Sequence, residues 1–367
     1  MKRVSFLLPT MAGVPVGGVK VVYEYANRLV QDGYCVAIVY SIGPSFGSAS
    51  SVRGGLLAGR NLLRSLYHIF RGWHRRCPWF DLDERIQCHA VWDLTEGRVP
   101  SSDIYVATAA TTAAFLRDYV RVPPANKFYF IQNYENWSMS EAELLETYRY
   151  PLRKIVIGNW LKKMVERTGE SAVQIPNGFD FSYFKRVVPA HDRNPYRVAM
   201  LYHPAAYKGC KVGFKALARV RERIPQLEVD LFGGANPKEK LPEWIHFHRT
   251  PSRELHNRIY NEAAIFLGTS FQEGWGLPVG EAMICGAAVV CTDNGGYAEM
   301  AKDRQTALVV PVGDAEAMAE KIVELMQDND LRVRLADAGH DYIRQFTWER
   351  SIRLLEQEFS TAQDVVD

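Results

Sequence analysis

Short apolar runs that alternate with amphipathic stretches constrain this chain more than any other feature. Residues 4–8 form an apolar run too short for a helix. After a Gly/Pro loop, Val19, Val22, Tyr23, Ala26 and Val30 recur at helical spacing up to Asp32-Gly33, a stop signal. Residues 35–40, 104–107 and 128–131 repeat the strand pattern with a helix expected over 113–119, and residues 155–157 precede a helix over 161–167. The alternation resumes at 197–201, with strands at 228–232, 245–247, 265–267 and 288–291 and helices at 212–223, 252–261 and 278–285. Helical stretches starting near Asp314, Asn329 and Trp348 close the chain. Apolar strands separated by helices are covered on both faces, so the expected class is α/β with doubly wound parallel sheets.

The 367 residues exceed one ordinary core and fit two α/β domains with a cleft between them. Residues 175–180 carry turn formers and 188–195 are polar, which puts the boundary near residue 180. With 47% hydrophobic and 23% charged residues, global disorder and a multi-span membrane protein are excluded. A net charge of +2 gives no whole-chain argument for nucleic acid. Cys35, Cys77, Cys88, Cys210, Cys285 and Cys291 show no metal-ligand spacing and read as reduced core residues. Met1-Lys2-Arg3 runs straight into a strand without a signal peptide, so a cytoplasmic protein is expected.

The densest chemistry lies in Ser270-Phe271-Gln272-Glu273-Gly274-Trp275-Gly276-Leu277-Pro278-Val279-Gly280-Glu281-Ala282-Met283, between a strand and a helix. Gly274 and Gly276 let the backbone turn tightly against a ligand, Pro278 suits a first helical turn, and the free N–H groups of that helix can face an anion. Glu273 and Glu281 flank one loop at the carboxyl end of a parallel strand, where such sheets bind ligands. One carboxylate can accept from sugar hydroxyls and the other from a ribose diol. The competing reading makes Glu281 a complement to a helix dipole and Glu273 a solvated loop acid.

This segment resembles the E-x7-E signature of glycosyltransferase family 4, a retaining family among the glycosyl transferases group 1, in its form E-G-x-G-L-P-x-x-E-A-M. The resemblance implies two Rossmann-like domains facing a central cleft (the GT-B fold). The N-terminal domain, 1–180, would hold the acceptor and 181–346 the nucleotide-sugar donor, with the closing helix 347–367 crossing back onto the first. It implies that Glu281 binds the donor ribose and that Glu273 lies near the donor sugar, with Gly274, Gly276 and Leu277 completing the loop.

Three further stretches fit the family in order. Gly17-Gly18 opens a helix whose unpaired N–H groups can take a phosphate, although two such glycines are equally a plain loop. Ile175-Pro176-Asn177-Gly178 resembles the interdomain segment, and Asp293-Asn294-Gly295-Gly296-Tyr297-Ala298-Glu299 resembles a loop whose amides at Gly295 and Gly296 meet the donor diphosphate. The departing diphosphate also needs a fixed cation. Family members place an Arg five residues before a Lys-Gly; here Lys208-Gly209 stand, but the Arg position holds His203. An imidazole clamps diphosphate less well than a guanidinium. Either His203 donates one hydrogen bond, or a cation such as Lys211 or Arg249 compensates, or activity is reduced. The alternative for Lys208 is a solvated lysine at a helix start.

On the acceptor side Phe130-Ile131-Gln132-Asn133-Tyr134-Glu135 ends a strand with polar groups, and Thr108, Thr111 and Thr112 follow the previous one. Relatives carry a His near these loops; none of the nine histidines here fits it, so Gln132, Asn133 or Glu135 is expected to take its role. Capping and loop hydrogen bonds explain the threonines equally well. Asp81-Leu82-Asp83 reads as a surface turn and not as a metal-binding D-x-D. No metal and no cofactor is expected beyond the nucleoside-diphosphate sugar as co-substrate.

From Gly33 to Phe80 there is no Asp or Glu, while Arg53, Arg60, Arg64, Arg71 and Arg75 fall on one helix face opposite Leu62, Leu66, Ile69 and Trp73, flanked by Leu63 and Phe70. A basic amphipathic helix over 53–76 can lie on an anionic membrane at the inner face of the cell membrane, and a lipid-linked acceptor then follows. Equally, it can pack its apolar face on the N-terminal domain. The resemblance as a whole implies transfer of a hexose or deoxyhexose to a glycan or lipid-linked hydroxyl in bacterial surface polysaccharide synthesis. A non-hydrolysing nucleotide-sugar epimerase and a non-catalytic relative are the alternatives.

Overall fold

The computed structural model describes residues 1–43, 63, 67–68, 70–72, 77–238 and 240–363. The chain divides into two compact units, Met1–Asn177 with Trp348–Asp367, and Gly178–Thr347. In the first unit β1 (Arg3–Leu8), β2 (Cys35–Ser41), β3 (Gln87–Val91), β4 (Ile104–Ala107), β5 (Lys127–Ile131), β6 (Arg153–Val156) and β7 (Ala172–Gln174) form a parallel sheet in the order β3-β2-β1-β4-β5-β6-β7. The helices α1 (Gly17–Gln31), α2 (Ala110–Arg117), α3 (Glu141–Tyr148) and α4 (Asn159–Glu166) lie in the same unit.

The second unit repeats the plan. Strands β8 (Arg197–Leu201), β9 (Glu228–Gly233), β10 (Ile245–Arg249), β11 (Ile265–Gly268), β12 (Ala288–Thr292) and β13 (Leu308–Val310) pair in parallel as β10-β9-β8-β11-β12-β13. They are accompanied by α5 (Cys210–Arg223), α6 (Arg253–Glu262), α7 (Leu277–Cys285), α8 (Ala315–Gln327) and α9 (Asn329–Ile343). Both units are Rossmann-like: strand order reverses between the first and fourth strand of each sheet, and the crevice at such a reversal is where the carboxyl ends of the strands receive ligands. The second core is aliphatic, with Val198, Met200, Leu231, Ile265, Leu267 and Val290 buried under Leu217, Val220, Met318 and Ile322. Each such side chain contributes about 1.5–3 kcal/mol.

The last helix, α10 (Trp348–Ser360), belongs to the first unit. It buries Trp348, Ser351, Ile352, Leu355 and Phe359 along one face. Trp348 meets Tyr25 edge-on at 5.4 Å and takes the Arg28 guanidinium over its ring at 5.0 Å, while Phe359 meets Phe128 at 5.1 Å.

Four elements had too little pattern to be expected. β7 and β13 are three residues each, β3 is a half-buried edge strand, and α3 is announced only by the Ser140/Glu143 capping box. Helix α2 begins at Ala110, earlier than its apolar spacing indicates. Of the six cysteines expected in the core, Cys210, Cys285 and Cys291 are buried, Cys77 and Cys88 are half-buried, and Cys35 is exposed at the start of β2. Most of the basic stretch 53–76 lies outside the described residues. Among the described residues no helix is long and apolar enough to cross a membrane.

Candidate active site

Three loops at the carboxyl edge of the second sheet interlock at its strand-order reversal. The loop after β8 carries His203 and Lys208, that after β11 carries Glu273, and that after β12 carries Gly295 and Gly296. Thr269 donates its hydroxyl to the Lys208 carbonyl at 2.8 Å and the Phe271 N–H donates to the Tyr207 carbonyl at 2.7 Å, tying the first two loops. The Thr292 hydroxyl (2.5 Å) and the Asn294 amide (3.0 Å) both donate to the Ser270 carbonyl, tying the second to the third. At Gly296 a Cβ would stand 2.3 Å from the Glu273 carbonyl oxygen, so only glycine permits this approach.

Lys208 and Glu273, far apart in sequence, meet here: Nζ lies 2.7 Å from Oε1, with the side chains 19% and 13% exposed. The Ser270 hydroxyl donates to the same oxygen at 2.7 Å. Oε1 is thus occupied, while Oε2 has no hydrogen-bond partner among the described residues and can accept from a ligand hydroxyl. His203 sits beside them on β8's exit. The Ala205 N–H donates to its Nδ1 at 3.1 Å, which leaves the proton of the neutral ring on Nε2. Desolvation and the nearby Lys208 charge hold the imidazole below its usual pKa. His203 is therefore neutral, with its one N–H at Nε2.

Helix α7 starts at Leu277 behind Gly276, whose φ of 89° is left-handed and whose missing side chain leaves room for the Tyr297 ring, 2.3 Å from where a Cβ would be. No side chain caps this helix and no acid stands in its first turn. Pro278 has no N–H, and the Val279 and Gly280 N–H groups donate to the Gly276 carbonyl at 3.0 and 3.4 Å, so among its first residues the Leu277 N–H is the one left to face an anion. Gly274 and Trp275 are buried under the loop, and the Trp275 ring meets Phe346 edge-on at 5.3 Å. Glu281 lies on the next turn of α7. It is only 8% exposed, and the Tyr260 hydroxyl donates to its Oε2 at 2.9 Å.

Other expected residues lie apart. Arg249 ends β10 at the outer edge of the sheet, two strands from the β8/β11 reversal, and is exposed. Lys211 is exposed in the first turn of α5. Neither is joined to Lys208. Asp81 and Asp83 stand in a turn: Asn27 bonds the Asp81 carbonyl and the Asp83 N–H, and Asp83 pairs with Arg85 at 2.7 Å. Among the described residues no group of three or more His, Cys, Asp or Glu could hold a metal.

In the first unit, Gly17 and Gly18 are the first two residues of α1, which has no side-chain cap and no acid in its first turn. Gln132 donates through Nε2 to the Gly18 carbonyl at 3.1 Å, bringing the β5 exit against this helix start. Asn133 accepts from the Tyr134 N–H. Glu135 is 9% exposed and accepts the Ala110 N–H at the start of α2 at 2.9 Å. Burial pushes its carboxyl up to about 7, against the opposing pull of that N–H. The threonines divide between the two readings left open for them. Thr108 donates to the Leu7 carbonyl and Thr112 Oγ1 accepts from the Thr108 and Ala109 N–H groups, so both hold the loop, while Thr111 is buried in the first turn of α2. Sequence reading missed Ser270 and Tyr260, the partners of the two carboxylates; a hydroxyl three residues before Glu273 was the only available signal.

Two parallel-sheet Rossmann-like units place the chain in the α/β class, with GT-B glycosyltransferases as its structural neighbours. Sucrose-phosphate synthase from Thermosynechococcus elongatus superposes with a TM-score of 0.69 at 15% identity, covering 98% of both chains. Anabaena HepE in complex with UDP-glucose also gives 0.69 at 15% identity, over 98% of this chain and 100% of its own. In sequence, residues 184–342, which lie within the second unit, match the family described as Glycosyl transferases group 1. The D-inositol 3-phosphate glycosyltransferase of Corynebacterium aurimucosum is 28% identical over 194 residues, 48% of this chain and 45% of that protein. The phosphatidyl-myo-inositol mannosyltransferase of Mycolicibacterium smegmatis is 25% identical over half of each chain. The chain thus spans about half the length of the curated relatives it matches.

Proposed function

We propose that this chain is a retaining glycosyltransferase of family 4 that moves a hexose or deoxyhexose from a nucleoside-diphosphate sugar to a hydroxyl of a glycan or lipid-linked acceptor, in bacterial surface polysaccharide synthesis. The observation that carries the reading is the Lys208–Glu273 pair at the strand-order reversal of the unit that matches the group 1 family, beside the uncapped start of α7. Lys208 and the Leu277 N–H at the positive end of α7 would neutralise the departing diphosphate, with His203 adding one hydrogen bond. Glu273 Oε2 would hold a hydroxyl of the donor sugar, Glu281 the ribose, and Gly295 and Gly296 would bring their amides to the diphosphate. No metal is assigned. Retention without a protein nucleophile follows if the leaving phosphate helps deprotonate the acceptor. Gln132, Asn133 and Glu135 at the β5 exit are assigned to the acceptor.

A lipid-linked acceptor is supported by Leu63, Tyr67 and Phe70, which recur at helical spacing next to Arg71 and expose 70%, 53% and 90% of their surface. Flotation with anionic vesicles tests this: an Arg64→Glu, Arg71→Glu variant that binds as well as the parent rules it out. The main reading is tested by thermal-shift screening of nucleoside diphosphates and their sugars, followed by a transfer assay with and without acceptor. A ligand bound only by the folded state must raise the melting temperature. No stabilisation by any diphosphate, or sugar epimerisation without acceptor, sinks it.

A further inference from the structure

Two large aromatic side chains stand in solvent at the rim of the Lys208–Glu273 pair. Tyr207 is 49% exposed and Phe271 is 41% exposed, on the exits of β8 and β11 respectively. Their backbones are joined by the Phe271 N–H to Tyr207 carbonyl bond at 2.7 Å, so the two residues are held side by side on neighbouring strands' exits. The Lys208 ammonium lies 5.4 Å from the Tyr207 ring centroid, and the Phe271 ring edge stands 3.1 Å from where a side chain at Gly209 would begin. Elsewhere in this unit aromatic rings are mostly buried, for example Phe232, Tyr260, Phe266, Trp275 and Tyr297, so exposing two beside a charged pair is not what stability alone selects.

Resting on the donor-site reading above, we infer that Tyr207 and Phe271 form a stacking platform for the hexose ring of the donor. A nucleoside-diphosphate hexose carries its sugar one oxygen beyond the distal phosphate. A distal phosphate neutralised by Lys208 therefore holds the hexose within a few ångströms of that ammonium, at the level of the Tyr207 ring. A hexopyranose presents a face of C–H bonds with hydroxyls at its edge. The aromatic pair meets the C–H face, while Glu273 Oε2 accepts from the edge. The platform selects for a ring with an unobstructed C–H face and contributes nothing to the nucleoside diphosphate itself.

The test is a calorimetric titration of the full chain with UDP, UDP-glucose, GDP and GDP-mannose, for the parent, Tyr207→Ala, Phe271→Ala and the conservative Tyr207→Phe and Phe271→Tyr. Both alanine variants should bind the preferred sugar nucleotide about tenfold more weakly, with the affinity for its parent diphosphate unchanged. The conservative variants should restore the sugar's contribution. The inference is overturned if the sugar nucleotide and the diphosphate weaken together, if neither changes, or if the parent gains nothing from the hexose. A parent that binds no nucleoside diphosphate at all overturns the donor-site reading first, and this inference with it.

Discussion

Tyr260 donates its hydroxyl to Glu281 Oε2 at 2.9 Å, with both side chains buried. One oxygen of the carboxylate is thereby fixed, which sets the direction in which the other can accept. Burial, reinforced by the Glu281 charge, lifts the phenol well above its usual pKa, so Tyr260 stays a donor throughout the neutral range.

Tyr260→Phe keeps the ring and deletes the donor, leaving a buried carboxylate one bond short. The expected cost is about 1–3 kcal/mol of stability, read from denaturant unfolding, together with weaker binding of ribonucleoside diphosphates. An unfolding midpoint and a nucleotide affinity both equal to the parent's would show that the bond does not orient Glu281.

Glu273→Ala should reduce kcat by about two orders of magnitude or more while the melting temperature moves little. The side chain is 13% exposed, so water can enter the space it leaves and solvate the Lys208 ammonium, itself on a side chain 19% exposed. Loss of turnover with collapse of the fold would assign Glu273 to structure.

How much of this was legible in the sequence differs by element. The E-x7-E loop could be placed between a strand and a helix because Gly274, Gly276 and Pro278 are local signals, and local signals survive into the fold. The pairing of Lys208 with Glu273 was not legible. It depends on β8 and β11 lying side by side, which only the strand order settles. For Thr108 and Thr112 the sequence left two readings open, because hydroxyls next to a helix start serve a ligand or the backbone equally well, and here the backbone takes them. Arg249 follows a strand like the others, but its strand is the outermost one.

His203→Arg restores a permanent charge where the imidazole is held neutral by desolvation and Lys208. Diphosphate affinity should rise several-fold, and its dependence on salt should steepen, since a guanidinium offers two parallel hydrogen bonds in place of one. An unchanged affinity in a calorimetric titration would place residue 203 away from the diphosphate.

Glu135 gives a pH prediction with a definite sign. Its carboxyl has an ordinary value of 4.5 and is pushed up to about 7 in the fold, mainly by burial. The folded state therefore holds the proton more tightly than the unfolded chain. As pH rises through this window the unfolded chain releases its proton first, so stability falls and levels off above about 7, by about 3 kcal/mol in all. Glu135→Gln cannot ionise, and its amide oxygen can still accept the Ala110 N–H. Urea unfolding at about pH 5 and about pH 8 should show the parent losing stability across the interval and the variant losing much less. Superimposable profiles would mean that the carboxyl titrates as in water. The same window separates its proposed role at the acceptor. If Glu135 must be ionised to take the acceptor proton, the parent's kcat should climb as pH passes about 7, and the climb should vanish in the variant. A climb that persists in Glu135→Gln assigns the proton to another group, leaving Glu135 as the cap of α2.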